Sequence, residues 1–206
     1  MTGLLLKDKD REYLDNLNSG GVHGSAPGRA LLIRLNARQQ EPVWSRIGLA
    51  LTGQPGEPPG AHKEEHMLKQ KISSEDQSFR RAFEACECPA SDFDHRAHVR
   101  LAYVYLCEYA PDQAHKSMKH SLLRFLRHLG IGESKYHETL TRSWVMAVNH
   151  FMNLSPECHS ANDFIDQNPV LLDTKIMLSH YSAEVLFSPA ARTQFVEPDI
   201  QEIPHH

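Results

Sequence analysis

From Met67 onward, apolar residues recur at the spacing of an α-helix, and no stretch alternates between polar and apolar residues. This periodicity constrains the fold more than any other feature of the chain, because helices and half-buried strands need incompatible apolar patterns. Proline, glycine and serine divide the pattern into segments of helix length. The sequence therefore predicts an all-α fold, a single helical bundle of about five to six helices.

Each predicted helix has a capping signal at one end or at both ends. In chain order, the predicted helices are 75–87 after Ser73 or Ser74, 93–109 after Ser91 and Asp92, Pro111 to Gly130, 135–152 after Ser134, a short helix between Ser160 and Asn168, about 171–187, and a last turn after Ser188. The segment from Leu101 to Cys107 in the second of these is apolar on every side. Such a helix is expected at the centre of a bundle.

Glycine divides the chain into two unequal parts. Of the eleven glycines, nine precede Met67 and only Gly130 and Gly132 follow it. The stretch from Gly53 to Ala61 is a turn-rich linker in which neither a helix nor a strand ladder can persist. We therefore predict a disordered or loosely structured extension over 1–66 and an α-helical domain over 67–206. The same pattern raises the hypothesis that Met67 is the natural start.

Charge, hydropathy and cysteine content predict the compartment of the protein and argue against some classes of partner. The net charge is −4 with a pI near 6.4, which argues against a nucleic-acid partner. No run of about 20 apolar residues predicts a membrane span, and the first residues do not resemble a signal peptide. The four cysteines have no framework spacing, so reduced thiols are expected. These features predict a cytoplasmic protein.

Histidine is the unusual residue, with fourteen in the chain. His95 and His98 lie three positions apart on the predicted second helix and therefore share one face. His137 lies beside Glu138 at the start of the fourth predicted helix. His180 and Glu184 lie four positions apart on the predicted helix 171–187. Five other histidines are expected at the surface or at helix ends: His115, His120, His128, His150 and His159.

Three helices that each present an imidazole to a bundle core can assemble a metal site. The candidate metal ligands are His95, His98, His137 and His180, and the expected ion is a divalent transition metal, Zn or Fe. Glu138 and Glu184 are the candidate catalytic residues, as a general base or as a further ligand. The leading hypothesis is a small metal-dependent enzyme that acts on a small molecule.

Two other interpretations of the same residues stay open. The histidines and glutamates could form a polar site that needs no metal. Alternatively, the histidines could be structural, hydrogen-bonding buried carbonyls and holding the helices in register. The chain would then be a non-catalytic helical module that binds a small molecule or a protein. The sequence has no nucleophile elbow, P-loop or glycine-rich turn after a strand, which argues against hydrolase-fold and nucleotide chemistry.

Several motifs resemble those of a group of small, uncharacterised bacterial α-helical proteins. They are FDHRAHVRLA at 93–102, KYHETLT at 135–141, NPVLLD at 168–173, HYS at 180–182, SPAAR at 188–192 and VEPD at 196–199. The resemblance covers roughly residues 90–204 and agrees with a domain that begins near Met67. It implies a helical fold and brings no activity, cofactor or substrate with it.

Overall fold

The computed structural model describes residues 70–204, and these residues are mostly helical. The predicted extension over 1–66 and the hypothesis that Met67 is the natural start lie outside the described residues. Within 70–204 the α-helices are α1 (Ser74–Glu84), α2 (His95–Glu108), α3 (Pro111–His128), α4 (Glu138–Leu154), α5 (Ala161–Gln167), α6 (Ala183–Leu186) and α7 (Pro189–Thr193). Short 3₁₀ turns lie at Ala90–Asp92, Glu133–Lys135, Pro169–Leu172 and Thr174–Ser179. The predicted all-α class is confirmed.

Helix α2 lies at the centre of the bundle. It packs against α3 and α4, which also pack against each other, while α1 and α5 cover its remaining sides. Every residue from Leu101 to Leu106 is buried. A helix that is apolar on all sides must be enclosed by other helices to remove that surface from water. The sequence prediction of a central helix is confirmed.

Most helix ends lie where the sequence predicts them. Ser73, Ser160 and Ser188 cap α1, α5 and α7, each by accepting a backbone N–H three residues later. Two caps differ from the prediction. Asp94 caps α2 in place of Ser91 and Asp92, and His137 caps α4 in place of Ser134. In both cases the predicted residues form a 3₁₀ turn immediately before the helix.

Helix α3 ends at the predicted glycine. Gly130 has a φ of 65° and donates its N–H to the Arg127 carbonyl, and Ile131 donates to the Leu126 carbonyl. These two hydrogen bonds make a Schellman motif, which satisfies the last carbonyls of the helix. The left-handed backbone at this position favours glycine. The chain is thereby turned from α3 towards α4.

The predicted helix over 171–187 is wrong. This region contains the 3₁₀ turns Pro169–Leu172 and Thr174–Ser179, a break, and the one-turn helix α6. The side chain of Asp173 accepts the Lys175 N–H, and that of Ser182 accepts the Val185 N–H. Such local hydrogen bonds compete with a continuous helix ladder. His180 and Glu184 therefore do not share the face of one helix.

A buried carboxylate joins three parts of the bundle. Asp76 is fully buried and accepts hydrogen bonds from Ser73, from Arg100 Nε at 2.8 Å and from the Ala161 N–H at 2.9 Å. Burial raises the pKa of Asp76, but these donors outweigh it, so the pKa lies below its usual value. The charge is therefore retained, and it ties α1 to α2 and α5.

The last described residues pack back onto the bundle. Ile200 and Gln201 both donate their N–H groups to the His180 carbonyl, and Ile203 is completely buried. The segment 195–203 therefore covers one side of the core without forming a helix. Among residues 70–204, no helix is both long enough and apolar enough to cross a membrane.

Candidate functional site

His95 and His98 lie in the first turn of α2, and the structure brings them close together. His95 Nε2 donates to the Leu171 carbonyl at 2.9 Å, and its ring meets the edge of Trp144 at 4.5 Å. His98 Nδ1 donates to the Asp94 carbonyl at 2.9 Å. Burial lowers the pKa of His98 to about 4, and nearby His95 also lowers it. His98 is therefore neutral at neutral pH.

His137 acts as the N-cap of α4. Its Nδ1 accepts the Leu140 N–H at 3.3 Å, and its Nε2 donates to the Leu186 carbonyl at 3.0 Å. Both ring nitrogens are thus engaged, which fixes the tautomer with the proton on Nε2. Burial, followed by the nearby positive charge of Arg192, lowers the pKa of His137 to about 4. The neutral ring links the start of α4 to the end of α6.

His180 lies at the end of the 3₁₀ turn Thr174–Ser179 and is completely buried. Its Nδ1 donates to the Gln201 carbonyl at 2.8 Å. Burial lowers the pKa of His180 despite this hydrogen bond. The imidazole therefore holds the segment 195–203 against the bundle, while Glu184 is exposed in the first turn of α6.

The predicted ligands do not converge on one point. Within residues 70–204, no three side chains of histidine, cysteine, aspartate or glutamate are grouped so that they could hold a metal ion. Each of the four predicted imidazoles also bonds a backbone carbonyl. The donor set of the described residues therefore does not fit the predicted site, and a bound Zn or Fe ion stays a prediction.

Glu138, the other candidate catalytic residue, lies in a polar cluster that the sequence did not predict. Its side chain is almost buried and accepts from Lys119 Nζ at 2.7 Å and from the Tyr136 hydroxyl at 3.0 Å. His115 Nε2 lies 3.3 Å from the other carboxylate oxygen. Burial raises the pKa of Glu138, but the hydrogen bonds from Lys119 and Tyr136 outweigh it and lower the pKa. The carboxylate is thus ionised and well satisfied.

Sequence reasoning missed the two α3 residues of this cluster. His115 was expected at the surface, but it is buried, as is His150. The expected exposure of His120, His128 and His159 is confirmed. His115 precedes Met118 by three positions, so it continues the apolar stripe of α3, and this spacing was the signal for its burial. Lys119 follows four positions later on the same face.

A concave surface lies on another side of α3. A groove of about 330 Å³ separates α3 from the ends of α1 and α2. It is lined by residues that carry polar groups, namely Glu84, Tyr105, Tyr109, Gln113, Lys116, Ser117, His120, Ser121 and Arg124. A volume of this size is at the lower end of those that hold small molecules. None of the sequence-predicted site residues lies in it.

A hydroxyl chain forms the inner part of this groove. The Tyr105 hydroxyl donates to Glu84 at 2.9 Å and lies 2.6 Å from Ser121 Oγ. Tyr105 and Ser121 are both buried. Burial raises the pKa of Tyr105, so its hydroxyl stays protonated. The groove therefore presents fixed hydrogen-bonding groups at its base.

No family model, curated protein or solved structure matches the chain. The resemblance to small bacterial helical proteins therefore stays a prediction.

Proposed function

We propose that this protein is a non-catalytic helical module that binds a small polar molecule in the groove between α2 and α3. Its buried histidines are structural. This proposal follows the sequence hypothesis of a non-catalytic helical module, in which the imidazoles hold the bundle together instead of binding a metal.

One observation carries the choice between the two hypotheses. Each candidate ligand donates a ring N–H to a backbone carbonyl, and three of these carbonyls belong to sequence-distant segments, at Leu171, Leu186 and Gln201. Buried carbonyls need such partners, because an unsatisfied buried polar group costs about 1–3 kcal/mol. These histidines supply the donors for the irregular region after α5, where few ladder hydrogen bonds exist.

The groove supports the binding part of the proposal. It combines a volume of about 330 Å³ with a lining whose side chains carry hydrogen-bond donors and acceptors. Tyr109, at its edge, is 39% exposed, which is unusual for a large aromatic residue of this bundle. An exposed aromatic ring beside polar groups favours a ligand with both a flat apolar face and hydroxyl groups.

The proposal is tested by a thermal-shift screen of the full chain against sugars, sugar phosphates, amino acids, nucleosides and small carboxylic acids. A ligand that binds the folded state raises the melting temperature by mass action. In Ser117→Trp an indole fills the groove, and in the matched control Gln77→Trp it lies on an exposed face of α1. The expected result is a shift that persists in Gln77→Trp and disappears in Ser117→Trp.

Other outcomes of these experiments would contradict the proposed function. If no compound shifts the parent, or if Ser117→Trp keeps the shift, the groove is not a binding site. Elemental analysis of the same preparations tests the metal-dependent enzyme. About one equivalent of a transition metal, lost in a folded His95→Ala/His98→Ala variant, would favour that hypothesis over the present one.

A further inference from the structure

Three basic residues line one side of the groove: Lys116, His120 and Arg124. They lie at intervals of four on α3, so they share one face and succeed one another about every 6 Å along the helix axis. All three are exposed. We call this row the basic rim.

Lys116 and Arg124 of the basic rim differ from the other lysine and the other arginine of α3 in having no carboxylate partner. Lys119 pairs with Glu138 at 2.7 Å, and Arg127 lies 3.6 Å from Glu133. Within residues 70–204, no carboxylate lies within ion-pair distance of Lys116 or Arg124. The chain as a whole has more carboxylates than lysines and arginines, which gives its net charge of −4. The positive charge that remains on this face is therefore available to an anionic ligand.

The side of the groove opposite the basic rim accepts hydrogen bonds. Glu84 receives the Tyr105 hydroxyl on one oxygen, and its side chain is 42% exposed, so the carboxylate also faces the groove. Gln113 and Ser117, which lie on α3 beside the basic rim, add an amide and a hydroxyl to the lining. These groups match the hydroxyls of a polyol, which both donate and accept hydrogen bonds.

From this arrangement we infer that the groove binds a phosphorylated sugar or polyol, an inference that rests on the proposed function of the same groove. The phosphate lies against the basic rim, where the guanidinium of Arg124 can form a bidentate pair and Lys116 adds a second charge. The hydroxyls face Glu84 at the end of α1, and Tyr109 covers one face of the sugar ring. Inorganic phosphate would contact only the basic rim. An unphosphorylated sugar would contact only the rest of the lining.

The test is isothermal titration of the full chain with glucose 6-phosphate, glucose and inorganic phosphate at low and moderate salt. Glucose 6-phosphate is expected to bind at least about tenfold more tightly than either of its halves, since the two ends are recognised together. Its affinity is expected to fall as salt rises, because the basic rim is exposed to screening. Equal affinity for all three probes would overturn the inference.

Two double variants separate the groove from the general charge of the protein. Lys116→Gln/Arg124→Gln removes the two unpaired cations and is expected to weaken glucose 6-phosphate binding by at least about tenfold. Arg81→Gln/Arg127→Gln removes the same charge from exposed positions outside the groove and is expected to leave binding within about twofold. An equal loss in both variants would mean non-specific attraction and would contradict the inference.

The inference of a phosphorylated ligand and the proposal that the groove binds a small molecule can be disproved separately. If glucose binds as tightly as glucose 6-phosphate and Ser117→Trp abolishes both, the groove is a binding site and the phosphate inference is wrong. If neither sugar binds but a compound of another class shifts the melting temperature and is excluded by Ser117→Trp, the same conclusion follows. If no compound is excluded by Ser117→Trp, the inference and the proposed function fail together.

Discussion

At the residue scale, His98 and His137 act through their neutral rings. His137 shows the reason most fully, because its Nδ1 accepts the Leu140 N–H while its Nε2 donates to the Leu186 carbonyl. A second proton would have to sit on Nδ1, where it would oppose the Leu140 donor. Protonation therefore breaks the cap of α4 as well as charging a buried group.

The first prediction concerns acid stability. The folded pKa of His137, about 4, lies below its usual value of 6.5, so the unfolded chain binds the proton first as the pH falls. Stability is complete above pH 6.5 and is lost between pH 6.5 and pH 4, by about 2–3 kcal/mol from this residue. Urea unfolding at a series of pH values measures the slope.

Two variants show whether His137 causes that slope. His137→Asn keeps a capping side chain but loses the hydrogen bond to Leu186 and cannot titrate, so its free energy of unfolding should fall by about 1–2 kcal/mol at pH 7.5 and vary less with pH. His137→Ala removes the cap as well and should cost about 2–4 kcal/mol. An unchanged acid slope in both variants would exclude His137 as its source.

The second prediction compares two arginine–aspartate pairs of equal length. Arg100 meets Asp76 and Arg96 meets Asp166, both at 2.8 Å, but the Asp76 side chain is 0% exposed and that of Asp166 is 69% exposed. Asp76→Asn should lower the free energy of unfolding by about 2–4 kcal/mol, because it unpairs a partly buried arginine. Asp166→Asn should cost less than about 0.5 kcal/mol. Similar losses in urea unfolding would show that burial does not govern these pairs.

His115 illustrates which residue-scale features can be predicted from sequence. Its spacing from Met118 and Leu122 places it on the buried stripe of α3, and that information is local. Its partner Glu138 belongs to another helix, and the pairing depends on how α3 and α4 are rotated against each other. Such rotation is set by packing across the whole core, which no spacing within one helix reveals.

At the element scale, the long helices were predictable and the irregular region was not. The helices α2, α3 and α4 each span more than three turns, so their apolar stripes and caps reinforce one another. The segment from Leu171 to Phe187 also has many apolar residues, which imitate a helix. Asp173 and Ser182 interrupt it by binding nearby N–H groups. Aspartate and serine are less favoured inside helices but do occur there, so their presence alone did not identify the breaks.

The third prediction belongs to the turn between α3 and α4. A Cβ added at Gly130 meets nothing within 4 Å, so the cost of Gly130→Ala comes only from its φ of 65°. We expect a loss of about 1 kcal/mol, and a smaller loss in Gly130→Asn, because asparagine adopts left-handed backbone more readily. The measurement is thermal unfolding of the three proteins side by side. A neutral Gly130→Ala variant would mean that α3 ends without the Schellman motif.

At the scale of the whole molecule, the proposed binding groove and the histidine links occupy different parts of the bundle. The groove lies between α3 and the ends of α1 and α2. His137 instead joins α4 to α6, and His180 joins the irregular region to the last described residues. The sequence indicated the histidines as candidate site residues because they are unusually frequent in this chain. A groove made of ordinary polar residues from three helices has no such signal, since only the fold brings them together.

The fourth prediction concerns how much the last described segment, which lies outside the long helices, contributes to the stability of the bundle. Ile203 is 0% exposed and belongs to the main core, whereas Ile200, three residues earlier, is 59% exposed. Ile203→Ala should lower the free energy of unfolding by about 2–4 kcal/mol, because it leaves a cavity in the core. Ile200→Ala should change it by less than about 0.5 kcal/mol. Urea unfolding of the two variants gives a direct comparison of the same substitution.

Hydrogen exchange distinguishes loss of packing from loss of the whole segment. In the parent, the N–H groups of Ile200 and Gln201 both donate to the His180 carbonyl and should exchange slowly. If Ile203 anchors the segment, Ile203→Ala should speed the exchange of these two amides much more than that of amides in α2. Uniform acceleration throughout the bundle would instead mean that the segment unfolds only together with the core, so that His180 and Ile203 act as one cooperative unit with the long helices.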